Sequence, residues 1–141
     1  MPMPTVFLDT NVFLYAIGAP HPLKAASQRV LERVGDGELN AVTSTEVVQE
    51  ILYVLIRRGF RETGLKLARH TIELLGGLLP VTQEDISTAC DLLDRYPALP
   101  TRDAIHAATM LNNGIAEIVT ADGHFDEVQG IRLLPLAEWT A

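Results

Sequence analysis

Short β-branched, apolar segments alternate with longer amphipathic ones along this chain, and that alternation predicts an α/β fold built on a parallel sheet. Two further observations agree. Two of the strand-like segments run straight into an aspartate, Asp9 after TVFL and Asp122 after EIVTA. Several helical segments stop at glycine, at Gly35-Asp36-Gly37, Gly76-Gly77 and Gly114, the usual residue for a left-handed helix terminus. The 141 residues suit one domain, and no linker, repeat or low-complexity run divides them, so residues 1–141 are expected to form a single domain.

The elements follow in order. Thr5–Leu8 is β-branched and apolar and reads as a buried strand. Asn11–Ile17 starts a short helix that Gly18–Pro22 interrupts. Leu23–Val34 has apolar residues at helical spacing. Asn40–Thr43 reads as a second short strand. The next helix, EVVQEILYVLIRRG, is capped by Ser44 or Thr45, and the spacing of Thr43 and Glu46 resembles a capping box. That helix is apolar around most of its circumference, which suits a central position or a subunit interface. Arg61–Leu75 is a further helix, and Leu78–Val81 is read as a strand. Gln83–Tyr96 is amphipathic and ends at Pro97. Pro100-Thr101-Arg102-Asp103 opens a helix running to Asn113. Ala116–Thr120 is a strand, and Arg132–Leu134 a last edge strand. The expected sheet has about four or five short strands with helices on both faces.

Composition narrows the function. Hydrophobic residues make up 48% and charged residues 21%, as in a globular protein. No apolar run approaches the roughly 20 residues that span a bilayer. The opening MPMPTVFLDTN has no basic stretch, and the single cysteine, Cys90, cannot form an intrachain disulfide, so a soluble cytoplasmic protein is expected. Cys90 itself is expected to be buried. The net charge of −7 argues against a broad non-specific DNA-binding surface. It is compatible with an acidic metal site, where a bound divalent ion reverses part of the local charge.

Four acids have the placement for such a site. Asp9 and Asp122 lie past the C-terminal ends of strands, the edge where open α/β sheets bind ligands. Asp103 sits in a first helical turn and Glu50 in a second turn after a strand, so both can point to that edge. Each has an ordinary explanation alone: a cap for Asp9, helix-dipole preference for Asp103, solvation for Glu50, a turn for Asp122. Together, convergent carboxylates stay ionised only if cations compensate them, and hard oxygen ligands suit Mg²⁺ or Mn²⁺.

The blocks FLDTNVFLYA, TSTEVVQEILYVL, TRDAIHAATMLNNG and IVTADGHFDEV, in that order and covering nearly the whole chain, resemble the PIN-domain family, and within it the VapC toxins of toxin–antitoxin pairs. The resemblance implies a Rossmann-like sheet and a Mg²⁺- or Mn²⁺-dependent endoribonuclease. It matches Asp9 and Asp103 to the core metal-binding pair, Glu50 rather than Glu46 to the family glutamate, and Asp122 to the fourth acid. Thr10, Asn11 and Thr120 match small polar residues that support the ligands. It also implies an RNA substrate, a VapB-type antitoxin partner and a homodimer, for which the apolar helix around Ile51–Ile56 gives a physical reason.

Other residues have weaker claims. Glu46 lies a turn before Glu50 but is explained by capping, Asp126 is a loop acid near Asp122, and Phe125 is expected in the core. His21, His70, His106 and His124 share no ligand spacing; His106, one turn after Asp103, is placed to touch it. Arg57, Arg58 and Arg61 form a basic cluster and Arg102 adjoins Asp103, all as RNA or partner contacts. An aspartate-nucleophile phosphatase is disfavoured, because position 11 is asparagine and no lysine follows Lys66. The alternative of a different class is a catalytically inactive PIN-like module that binds a metal or a partner.

Overall fold

A computed structural model describes residues 4–139. Four parallel strands form one sheet: β1 (Val6–Leu8), β2 (Ala41–Val42), β3 (Glu117–Thr120) and β4 (Arg132–Pro135), in the order β2-β1-β3-β4. Six α-helices accompany them: α1 (Thr10–Ile17), α2 (Lys24–Gly35), α3 (Thr45–Arg57), α4 (Arg61–Leu75), α5 (Gln83–Arg95) and α6 (Thr101–Asn112). The parallel α/β expectation holds. Every residue of β1 is buried although successive side chains point to opposite faces, so both faces of the sheet are covered.

The sheet topology positions the site. From β1 the chain moves outward to β2, then returns past β1 to β3 and β4. The strand order therefore reverses direction between β1 and β3, which pair with Leu8 opposite Val119. A crevice opens at the carboxyl ends of strands at such a switch point. Asp9 follows β1 there, and its backbone N–H donates to Val119 O at 3.1 Å.

Three local expectations are corrected. Leu78–Val81 is not a strand; it contributes only an isolated bridge between Leu79 and Ser44. The segment leaves Gly76, in the left-handed conformation at φ 68°, and Gly77, and it pairs too briefly to extend the sheet. Ser44, one of the two expected caps, caps α3, with its Oγ accepting from Val47 N at 3.3 Å, but the expected capping box of Thr43 and Glu46 does not form. The Thr43 hydroxyl instead donates to Leu8 O at 2.8 Å, tying the chain after β2 to β1. The reciprocal capping box lies at α5, between Thr82 and Asp85. Asp85 also accepts from Asn112 Nδ2 at 2.9 Å, which fixes the start of α5 against the end of α6. Cys90, expected inside, is exposed, because α5 turns Ala89 and Asp85 inward instead.

Phe7, Phe13, Phe125, Ile118, Ile51 and Met110 are among the large, fully buried side chains of the core. Gly64 marks a close helix approach: a Cβ there would stand 3.1 Å from that of Leu55, so α4 packs tightly on α3. No helix among the described residues is long and apolar enough to cross a membrane.

Candidate active site

Asp9 ends β1 and caps α1. Its Oδ1 accepts from Thr10 N at 2.7 Å, and its Oδ2 accepts from the Thr120 hydroxyl at 2.7 Å and from Asn11 Nδ2 at 3.3 Å. Asn11 Nδ2 also reaches Thr120 Oγ1 at 3.1 Å, and Asn11 Oδ1 accepts from Ala121 N at 3.2 Å. Thr120 Oγ1 in turn accepts from Asp122 N at 3.0 Å. Asn11 and Thr120 thus both donate to the Asp9 carboxylate and join the loop after β1 to the loop after β3. The Thr10 side chain differs: its hydroxyl is buried and has no hydrogen-bond partner.

The four acids fall into two groups, each organised by a histidine. The deeper group is Asp9, Glu50 and His106. His106 projects from α6 and is fully buried, with Nε2 3.7 Å from Asp9 Oδ1 and 3.5 Å from Glu50 Oε1. These are ion-pair separations, too long for hydrogen bonds, and both His106 nitrogens and Glu50 Oε1 remain without hydrogen-bond partners. The outer group is Asp103, Asp122 and His124. His124 Nδ1 lies 3.0 Å from Asp103 Oδ2 and 2.7 Å from Asp122 Oδ1. Ionised carboxylates only accept, so the proton sits on Nδ1. Phe125, fully buried, anchors the 3-10 turn Gly123–Glu127 that carries His124.

Burial drives the electrostatics. Desolvation raises the Asp9 carboxyl above its ordinary range, against the lowering effects of His106 and Thr120. Asp103 is pushed up to about 6, by desolvation first and then by the negative charges of Asp9 and Asp122. Burial alone would raise Glu50, but His106 and Arg102 outweigh it and lower the group. Burial likewise opposes charging of His106, yet the carboxylates of Glu50 and Asp9 prevail and raise it. Asp103 and Asp122 raise the exposed His124.

Stability should follow these shifts. Between the unfolded value of 3.8 and the folded value of about 6, the folded Asp103 binds more protons than the unfolded chain, so stability falls as pH rises through that window. The raised histidines contribute stability that is fully present below 6.5 and is lost as pH rises through their folded values. Glu50 works oppositely, but only below about 4.5, where its lowered folded value lies. Melting temperature in chelator is therefore expected to fall from about pH 5 to about pH 8. A flat or rising profile, followed by circular dichroism, contradicts this electrostatic picture.

The remaining sequence candidates are dispersed. Arg102 Nη1 faces Glu50 Oε2 at 3.8 Å. Arg57 reaches Tyr53, with Nη1 donating to Oη at 2.9 Å, whereas Arg58 lies beside Phe60 and Leu14, and Arg61 opens α4. The Glu46 side chain forms no hydrogen bond or ion pair among the described residues, and Asp126 is exposed. His106, expected to touch its helical neighbour Asp103, forms its charged contacts with Asp9 and Glu50, and none with Asp103 occurs among the described residues. His124 was missed; the signal available was its place two residues after Asp122 within a turn.

The PIN domain family model matches residues 6–131. The chain is 37% identical over 131 residues to Ribonuclease VapC13 of Mycobacterium tuberculosis, covering 92% of this chain and 98% of that one. It is 36% identical over 117 residues to Ribonuclease VapC23 of the same species, covering 83% and 92%. Among solved structures, it superposes on M. tuberculosis VapC20, described as a sarcin-ricin loop cleaving toxin, with a TM-score of 0.73 at 21% identity, covering 90% of this chain and 98% of that one. VapBC2 of Rickettsia felis bound to a promoter DNA fragment gives a TM-score of 0.72 at 17% identity, covering 93% and 98%.

Proposed function

The chain belongs to the PIN-domain family and, within it, to the VapC ribonucleases, and on that premise we propose that it is the toxin of a VapBC-type toxin–antitoxin pair: an endoribonuclease that cuts RNA phosphodiester bonds with a divalent cation. The observation that carries this reading is the gathering of Asp9, Glu50, Asp103 and Asp122 at one sheet edge, with Asp9 and Asp103 driven toward protonation by burial and, in Asp103, by mutual repulsion. A cation there relieves the repulsion.

The residues fit such an ion. The acid donors are all oxygen, as Mg²⁺ or Mn²⁺ prefers. Glu50 Oε1 and Thr10 Oγ1 are buried oxygens without partners. One ligand atom each of Asp103, Asp122 and His124 lies within 4.8 Å of the others. Asp9 and Asp103 would be the core ligands, with Glu50 and Asp122 completing the set. When bound, the ion supplies Lewis-acid activation of water and neutralises charge developing on the phosphate. The chain's own groups prepare the site. Thr10 N–H, Asn11 and Thr120 fix both oxygens of Asp9. His106 balances the charge of Asp9 and Glu50 from below and, being buried, excludes water there. Arg102 stands beside Glu50, where it can meet a substrate phosphate.

RNA incubated with the protein is expected to be cut in Mg²⁺ or Mn²⁺, to survive in excess chelator, and to be cut again when the ion is restored. Cleavage indifferent to chelator overturns the metal reading. A protein that cuts no RNA, yet whose antitoxin binding depends on Asp9, is a binding module instead.

The partner is proposed to be a VapB-type antitoxin, and the site of action the cytoplasm. The solved relatives include toxin–antitoxin complexes, and exposed Phe60 and Ile17 flank an apolar cavity of about 440 Å³ that suits a partner. A homodimer is proposed as well, supported by exposed Ile72 and Ile86, and a monomer by light scattering at micromolar concentration counts against it.

A further inference from the structure

On α3, one turn past Glu50, Tyr53 is an aromatic residue left 44% exposed, and two arginine guanidiniums, one from α3 itself and one from α6, lie over its ring. The Arg102 guanidinium carbon, from α6, lies 5.2 Å from the ring centroid, and that of Arg57 lies 5.9 Å from it. Helix-end charge explains Arg57, which sits in the last turn of α3. It does not explain why Arg102 reaches from another helix to lie between Tyr53 and Glu50, 3.8 Å from the carboxylate. Arg57 has no ion pair among the described residues, so its charge is available to a ligand.

The order Glu50, Arg102, Tyr53, Arg57 forms a strip that starts at the acids and runs along one helix face, spanning about 10 Å of α3. Beside it lies a shallow hollow of about 440 Å³ lined by Gln49, Leu52, Tyr53, Ile56 and Arg57. A half-exposed ring with guanidiniums lying over it offers what an unpaired nucleotide needs: planar surfaces for base stacking, in the ring and the guanidinium planes together, and cations for the flanking phosphates. In a chain of net charge −7, a local pair of arginines next to the acids selects an anionic ligand.

We propose that Tyr53, with Arg57 and Arg102, is a nucleotide subsite that stacks an unpaired base of the substrate RNA next to the phosphate being cut. The proposal rests on the ribonuclease reading above and adds a substrate-binding residue to it. Tyr53 touches the substrate and not the reacting atoms, so its loss falls on binding rather than on the chemical step.

The probe is a labelled single-stranded RNA of mixed sequence, used both for cleavage kinetics and for fluorescence anisotropy. Tyr53→Ala is expected to raise KM and weaken binding roughly ten- to a hundred-fold, with the loss appearing in KM more than in kcat. Tyr53→Phe keeps the stacking face and is expected to retain wild-type binding. Arg57→Gln is expected to flatten the dependence of log affinity on log salt by about 0.7. Unchanged RNA binding by Tyr53→Ala overturns the subsite. So does a Tyr53→Ala variant whose oligomeric mass changes by light scattering while RNA affinity does not, which makes the strip an interface between copies. If the wild type cuts RNA and only the Tyr53 result fails, the subsite falls alone; if the wild type neither cuts nor binds RNA, the reaction falls with it.

Discussion

Asp103→Asn is expected to lower RNA cleavage about a thousand-fold or more while leaving the metal-free protein as stable as the wild type, or more so. The loss follows from the work asked of the ion. Charge stabilisation by a divalent cation supplies several kcal/mol, and each 1.36 kcal/mol is a factor of ten, which gives about three decades. The stability result follows from the electrostatics of the folded chain. Asp103 is crowded by Asp9 and Asp122 and pushed up to about 6, so above that pH its charge opposes folding. Asparagine removes the repulsion, keeps the shape and retains an oxygen to accept from His124 Nδ1. Asp103 is therefore a cleaner probe than Asp9, whose Oδ2 accepts from both Thr120 and Asn11; an amide nitrogen there would set donors against each other. Cleavage rate and melting temperature in chelator check the prediction together. A variant that keeps a tenth of wild-type activity, or that loses activity only because it unfolds, defeats it.

Phe7→Ala is expected to reduce the free energy of unfolding by about 3–5 kcal/mol. Phe7 is the middle residue of β1, which pairs with β2 on one side and β3 on the other, and it is fully buried. Truncation leaves a cavity where covered sheet and helix meet, and a small domain has only about 5–15 kcal/mol in total. The ring also packs against His106, at 5.8 Å between centroids, so the variant loosens the imidazole that faces Asp9 and Glu50. Urea denaturation should show a lower midpoint with an unchanged slope. A loss below about 1 kcal/mol indicates that neighbouring side chains close the cavity, contrary to the dense core described above.

Local patterns carried most of the architecture. β-Branched apolar runs, helical spacing, glycine stops and proline breaks marked four strands and six helices to within a residue or two. They failed at Leu78–Val81, where apolar composition suits a strand but no partner strand lies alongside beyond the single bridge to Ser44. They placed the α3 cap at Ser44 or Thr45 correctly but failed at the Thr43 and Glu46 capping box, because the Thr43 hydroxyl donates to Leu8 O across the sheet.

The site divides in the same way. The sequence by itself determined the acids: Asp9 and Asp122 follow strands, and Asp103 and Glu50 stand early in helices, positions that one-dimensional order sends to a single sheet edge. Tertiary structure alone decided how those acids are grouped. His106 meets Asp9 and Glu50, His124 lies between Asp103 and Asp122, and Arg102 bridges from Glu50 to Tyr53. The reason is physical. Chain order fixes which end of an element a residue occupies, whereas the rotation of each helix about its axis and its distance from the next are set by packing. α6 turns His106 toward β1 because Ala104, Ala107, Ala108 and Met110 fill the core on the same helix, and no local sequence rule contains that outcome.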